Sequence, residues 1–185
     1  MNKKSFINNE IWILTFAGGF QRAKIYTGVI DEKQRSAYRQ LLRNYIEELV
    51  AKHYQKNVSD AEHLEHINSI IAFSNSQMEF KENVKMNFGI AQKLLNLYLK
   101  YLWCLGELKI VPPHFPVDRI IHEELNKTAK DTGLKKFEIA SWTQFDDEKH
   151  YLQIINFAKE LTKIESYSHF NLAELELYLF ERRNN

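Results

Sequence analysis

The sequence predicts an all-α, or nearly all-α, fold, and three observations carry that expectation. Apolar residues recur at steps of three and four along most of the chain. Helix-opening residues stand where these periodic runs begin. Glycine and proline are scarce, six and three in 185 residues, so long stretches lack the turn punctuation that a many-stranded sandwich needs.

Residues 11–30 are ambiguous. Ile11, Trp12, Ile13, Leu14 and Phe16 suit either a strand or a buried helical turn, and Gly18-Gly19 is expected to break whichever forms. From Asp31 the pattern sharpens, because Asp31 is a good N-cap with Gln34 three residues on as a capping-box partner. The helix it opens carries Tyr38, Leu41, Leu42, Tyr45, Ile46, Leu49, Val50 and Tyr54 on one face, with Lys33, Arg35, Arg39, Arg43 and Glu47 mostly turned outwards. Ser59 and Glu62 make a second capping box, ahead of Leu64, Ile67, Ile70 and Ile71, and this helix runs out near Ser76. The polar stretch that follows, to Asn87, reads as a loop or a short helical turn.

A helix over residues 89–105 is the best-marked element. Its apolar residues cover nearly the whole circumference, which makes it the central helix of a compact globule, and Gly106 stands just past its end. Gln92, Asn96 and Lys100 follow one another at four-residue steps, with Lys93 beside them, as a narrow polar stripe. Pro112, Pro113 and Pro116 then make a stiff, extended connection. Pro116 and Asp118 open a helix through Ile120, Ile121 and Leu125, and a polar loop over residues 130–136 precedes Trp142. Two helices close the chain. Tyr151, Ile154, Ile155, Ala158 and Leu161 mark the first; Asn171 and Glu174 cap the second, which is expected to run on to Arg182 and Arg183. With no internal repeat and no linker, residues 1–185 are expected to form a single helical domain of six or so helices.

Lys and Arg number 25 against 24 Asp and Glu, so the chain lacks the basic excess of a protein that coats DNA non-specifically. Cys104 is the lone cysteine, which excludes an internal disulfide and points to a reducing, cytoplasmic setting. No apolar run approaches the roughly 20 residues that cross a membrane, and Lys3-Lys4 is not followed by a secretory apolar core. No cofactor is implied, since phosphate-cradling glycine loops and nucleophile elbows are absent.

Three weaker constellations remain. His63 and His66 share a helical face and suit metal ligation with Glu62, but no third ligand is indicated, so no metal is expected and both histidines are read as solvated. Lys93, Asn96 and Lys100 suit the wall of a pocket or an edge that contacts phosphate; the default is an exposed edge with its lysine stems on the core. Asp118 is the candidate catalytic carboxylate, with His114 and Arg119 close enough in sequence to accompany it, and simple helix capping is the default.

The block from Gly89 through Ala91-Gln92-Lys93 and Asn96-Leu97-Tyr98-Leu99-Lys100-Tyr101-Leu102-Trp103, followed by Pro112-Pro113-His114-Phe115-Pro116-Val117-Asp118-Arg119, resembles a group of uncharacterised bacterial proteins. The likeness extends to Trp142-Thr143 and residues 172–177, and it implies a family without an assigned activity. A more distant resemblance is to the helix-hairpin-helix DNA glycosylases, in which a lysine-bearing helix precedes a Val-Asp that opens the next helix. It implies a nucleic-acid partner, with Lys93 on the first helix and Asp118 in place of the catalytic carboxylate. Gly89 alone precedes the lysine helix, so the glycine-rich hairpin that grips phosphate has no counterpart. The leading expectation is a non-catalytic helical interaction module of unknown partner; the alternative is a nucleic-acid-associated protein on that glycosylase-like scaffold.

Overall fold

A computed structural model describes residues 2–180, and among these residues the chain is all-α, without a strand. The helices are α1 (Lys3–Phe20), α2 (Glu32–His53), α3 (Asp60–Ser76), α4 (Phe88–Cys104), α5 (Arg119–Thr132), α6 (Lys149–Leu161) and α7 (Leu172–Leu179). Two 3-10 turns, Trp142–Gln144 and Glu165–Tyr167, join the later ones. Asp31, Ser59 and Asn171 each cap their helix through the side chain, and Gln34, Glu62 and Glu174 return the bond to the cap residue's backbone. Arg182 and Arg183, expected to end the last helix, lie outside the described residues.

α4 packs against α1 and α3, with the turn Trp142–Gln144 on its first residues, while α5, α6 and α7 pack on one another. Every residue over 88–99 is buried. The all-round apolar pattern overshoots at the end, where Tyr101, Leu102 and Trp103 are half-buried and Cys104 and Leu105 exposed. No helix is long and apolar enough to cross a membrane among the described residues.

Two expectations are corrected at the N-terminal side. Gly18-Gly19 does not break the first element: α1 is helical through both. A Cβ on Gly19 would stand 2.6 Å from Leu94 Cδ2, and one on Gly18 2.7 Å from Leu97 Cδ1. The glycines let α1 lie close on α4, and that packing outweighs their helix-propensity cost of about 1 kcal/mol each. The outward side of α2 is also less exposed than expected: Lys33 is exposed, but Arg35, Arg39, Arg43 and Glu47 are half-buried. The Glu47 carboxylate accepts from Trp12 Nε1 at 2.7 Å, Asn8 Nδ2 at 2.8 Å and Arg43 Nε at 2.9 Å, which ties α2 to α1. The segments flanking α2 and α4 are zipped together where Thr27 N donates to Asn83 O and Lys85 N to Ile25 O.

Candidate functional site

The site begins at the start of α4. Asn87 caps that helix by accepting from Ile90 N at 3.0 Å, and its own Nδ2 donates to Thr143 O at 2.8 Å. Gly89 lets the 3-10 turn press directly on the helix: a Cβ there would lie 1.7 Å from Trp142 O. One turn on, Lys93 Nζ donates to Asp118 Oδ2 at 2.7 Å, with its ammonium 4.7 Å from the centre of the Trp142 ring. The lysine and aspartate side chains are only 7% and 15% exposed. Asp118 does two things at once, since its other oxygen accepts from Ile121 N at 3.1 Å and caps α5.

This pair floors a cleft of about 340 Å³ walled by the end of α1, the start of α5 and Trp142. Arg22 and Arg119 join Lys93 in lining it, against the single carboxylate of Asp118. Arg119 is well exposed and also reaches Glu123 at 2.7 Å. A smaller cleft of about 180 Å³ shares Gly18, Lys93 and Asp118 and continues to Lys100. There Lys100 Nζ lies 2.6 Å from Glu176 Oε2 and 4.6 Å from the centre of the Phe180 ring. Burial pushes the Glu176 carboxyl above its ordinary range, and Lys100 pulls it part of the way back.

Behind the cleft runs a buried hydrogen-bonded chain whose directions follow from its fixed ends. Gln92 pairs with the backbone of Val117, donating Nε2–H to its carbonyl at 2.9 Å and accepting its N–H at 3.2 Å. Gln92 Oε1 therefore faces Asn96 Nδ2 at 3.3 Å, and Asn96 Nδ2 also donates to the Tyr151 hydroxyl at 3.0 Å. The Asp60 carboxylate can only accept, so His114 Nε2–H donates to it at 3.2 Å and His114 Nδ1 accepts the Tyr151 proton at 2.9 Å. On the other side, Asn96 Oδ1 accepts from His63 Nε2–H at 3.0 Å, and His63 Nδ1 accepts from the Tyr54 hydroxyl at 2.7 Å. His66 Nδ1–H completes the run by donating to Tyr54 at 3.0 Å, while Lys159 holds the second oxygen of Asp60.

Burial keeps both central histidines neutral. It pushes His114 down to about 4, a fall that Asp60 partly opposes, and holds His63 well below its ordinary value. Burial likewise raises the Tyr151 hydroxyl well above its ordinary value. Asp60, His114 and Tyr151 stand in the order of a general-base relay, yet His114 and Tyr151 are buried, so no substrate reaches the hydroxyl. The chain's chemistry is to satisfy polar groups within the core.

The stripe predicted as a solvated edge is thus corrected. Gln92, Lys93 and Asn96 are buried, and with Lys100 each of the four side chains has a different partner: the Val117 backbone, Asp118, Tyr151 and Glu176 in turn. His63, read as solvated, is fully buried. The structure brings Lys93, Asp118 and Arg119 to one cleft and Lys100 to its extension, but it places Asn96 and His114 in the core relay instead. Residues that sequence reasoning did not find are Arg22, Trp142 and Glu176 at the cleft and Asp60, Tyr54 and Tyr151 in the relay. Only the place of Asp60 in the first turn of α3 and the isolated aromatic of Trp142 offered any signal, and neither specifies a partner. Among the described residues no three side chains gather as metal ligands. His122 is a further buried histidine, stacked near Phe145, and burial pushes it down to about 4. No protein-family model, no curated protein and no solved structure matches this chain.

Proposed function

We propose that the protein is a non-catalytic helical interaction module whose working surface is the cleft above Lys93 and Asp118. One observation supports it best: the ionisable groups at the cleft and beside it are spent in pairs, Lys93 on Asp118, Lys100 on Glu176 and His114 on Asp60. A nucleophile at an open position beside a matching base, which acyl or glycosyl transfer needs, is not part of that arrangement. The proposal takes the chain to be cytoplasmic and of bacterial origin, supported by the lone Cys104 and by the resemblance of the central block. The sharpest test asks Lys93 to behave as a catalytic amine. A duplex bearing an abasic aldehyde is incubated with the protein and then treated with borohydride, which fixes any lysine imine as a covalent adduct. No adduct is expected. An adduct lost in Lys93→Met would overturn the non-catalytic reading.

A second reading gives the module a nucleic-acid partner. It is favoured by the cleft's charge, in which Arg22, Arg119 and Lys93 face a single carboxylate although the whole chain is close to neutral. Its test is a DNA-binding titration at two salt concentrations. Salt-sensitive binding that is lost on changing Lys93 and Lys100 to Ala supports it, and salt-independent or absent binding removes it.

A further inference from the structure

On the other flank of α1 lies a larger groove, of about 700 Å³, between that helix and α2. Its floor is aromatic: Phe16, Phe20 and Tyr26 are half-buried, and their rings follow one another at 5.2 and 6.1 Å between centroids. Arg39 and Arg43 line it from α2, one helical turn apart. Asn9, Gln21 and Gln40 add three side-chain amides. Among the described residues that line this groove, none is Asp or Glu, in a chain with 24 of them. Glu32 and Glu47 do contact the two arginines, but neither is among the residues that line the groove.

Ala17 and Gln21 line this groove and the Lys93–Asp118 cleft alike, so the two meet across the last turns of α1. From Asn9 to Arg22 the helix carries this surface for about 20 Å at 1.5 Å per residue. Half-exposed rings, arginines and amide side chains in sequence are the elements that hold unpaired bases: rings stack, arginines meet phosphates, and amides meet base edges. A duplex offers phosphates and base edges too, but keeps the faces of its bases stacked on each other and has none to lay on an aromatic floor.

We infer that the α1–α2 groove and the Lys93–Asp118 cleft form one track around the end of α1 that takes a single-stranded polynucleotide. This rests on the nucleic-acid reading and adds a surface that the reading does not require. Arg39 and Arg43 supply two phosphate contacts beyond those of the cleft, and the three rings supply base stacking.

The experiment is fluorescence-anisotropy binding of a twelve-nucleotide oligo-dT and oligo-U, a twelve-base-pair DNA duplex, and polyglutamate as competitor, between 50 and 200 mM salt. Arg39→Gln with Arg43→Gln keeps much of each stem while removing the charge. It should weaken single-strand binding about tenfold or more at low salt and flatten the logarithmic salt slope by about 1.4, two contacts at about 0.7 each. Phe20→Leu should weaken binding several-fold without changing the slope, because it removes a ring and not a charge. Lys33→Gln with Lys52→Gln, on exposed positions of the same helix, should change little. Thermal melts confirm that each variant is folded. Binding lost with Arg22→Gln and Arg119→Gln but untouched by the Arg39 and Arg43 changes would overturn the track and leave the nucleic-acid reading standing. No salt-dependent binding by the unaltered protein would overturn both. Equal competition by polyglutamate, or duplex bound as tightly as single strand, would overturn the single-strand assignment; binding of either oligonucleotide in preference to both upholds it, and the oligo-dT to oligo-U ratio separates DNA from RNA.

Discussion

Replacing Asp118 with Asn separates its two jobs. The Asn side-chain oxygen can still accept from Ile121 N, since Asn caps a helix about as well as Asp. What disappears is the negative charge 2.7 Å from the Lys93 ammonium, at a position where the lysine side chain is only 7% exposed. Taking one partner from a buried pair costs about 3–5 kcal/mol, because the remaining charge stays desolvated. The Trp142 face, 4.7 Å from the ammonium, is the same in both proteins and so cancels in the comparison. The expected loss is therefore about 3–5 kcal/mol, or a fall in Tm of roughly 6–20 °C for a chain of this length. Asp118→Ala should lose about 1 kcal/mol more, for the missing cap. The double variant Lys93→Met with Asp118→Asn should recover most of the loss, since it removes both charges together. Thermal and denaturant melts of the four proteins read the whole cycle. If Asp118→Asn melts within a degree of the unaltered protein while Asp118→Ala falls, the ion pair contributes nothing and Asp118 is only a cap. If Asp118→Asn is the more stable protein, the carboxylate is held for a ligand instead.

Acid should destabilise the fold through its buried histidines. His114, depressed by burial from 6.5 to about 4, stays neutral in the folded chain while the unfolded chain protonates. The loss therefore begins as pH falls below 6.5, grows to about 3 kcal/mol by pH 4, and is absent above pH 7. A flat melting temperature from pH 7 to 4.5, in His114→Gln and the unaltered protein alike, contradicts this. Gly89→Ala should cost several kcal/mol, on the order of a severe overpacking change, because its Cβ meets the fixed Trp142 carbonyl. Gly19→Ala should cost less, since the Leu94 side-chain end can turn away; equal losses in denaturant midpoint would remove the distinction. Leu99→Ala, at a fully buried position, should lose about 2–5 kcal/mol, and Leu102→Ala, half-buried in the last turn, clearly less. Midpoints that barely move for Leu99→Ala would contradict the burial of α4.

Local signals in the sequence settled the helices from α2 onwards, but not α1, whose residues suited a strand as well. Capping boxes at Asp31, Ser59 and Asn171, the Asp118 cap and the apolar run of α4 are decided by residues within one turn of each other, so they can be read before any tertiary contact exists. Lys93 and Asp118 were also legible as candidates, each from its place on its own helix. What the sequence could not supply is anything set by contact across the chain. Helical periodicity says that Arg39 and Arg43 lie off the core stripe of α2, but not that they face a groove shared with α1. It says that Gln92, Asn96 and Lys100 share a face, but not that Val117, Tyr151 and Glu176 stand opposite. Gly18 and Gly19 read as breakers because propensity is local, and they stay helical because Leu94 and Leu97, some 75 residues on, fill the space a side chain would take. Hydrogen-bond partners such as His63 and Asn96 are likewise a property of packing: their residue types allow many partners, and only the enclosed geometry of the core picks one.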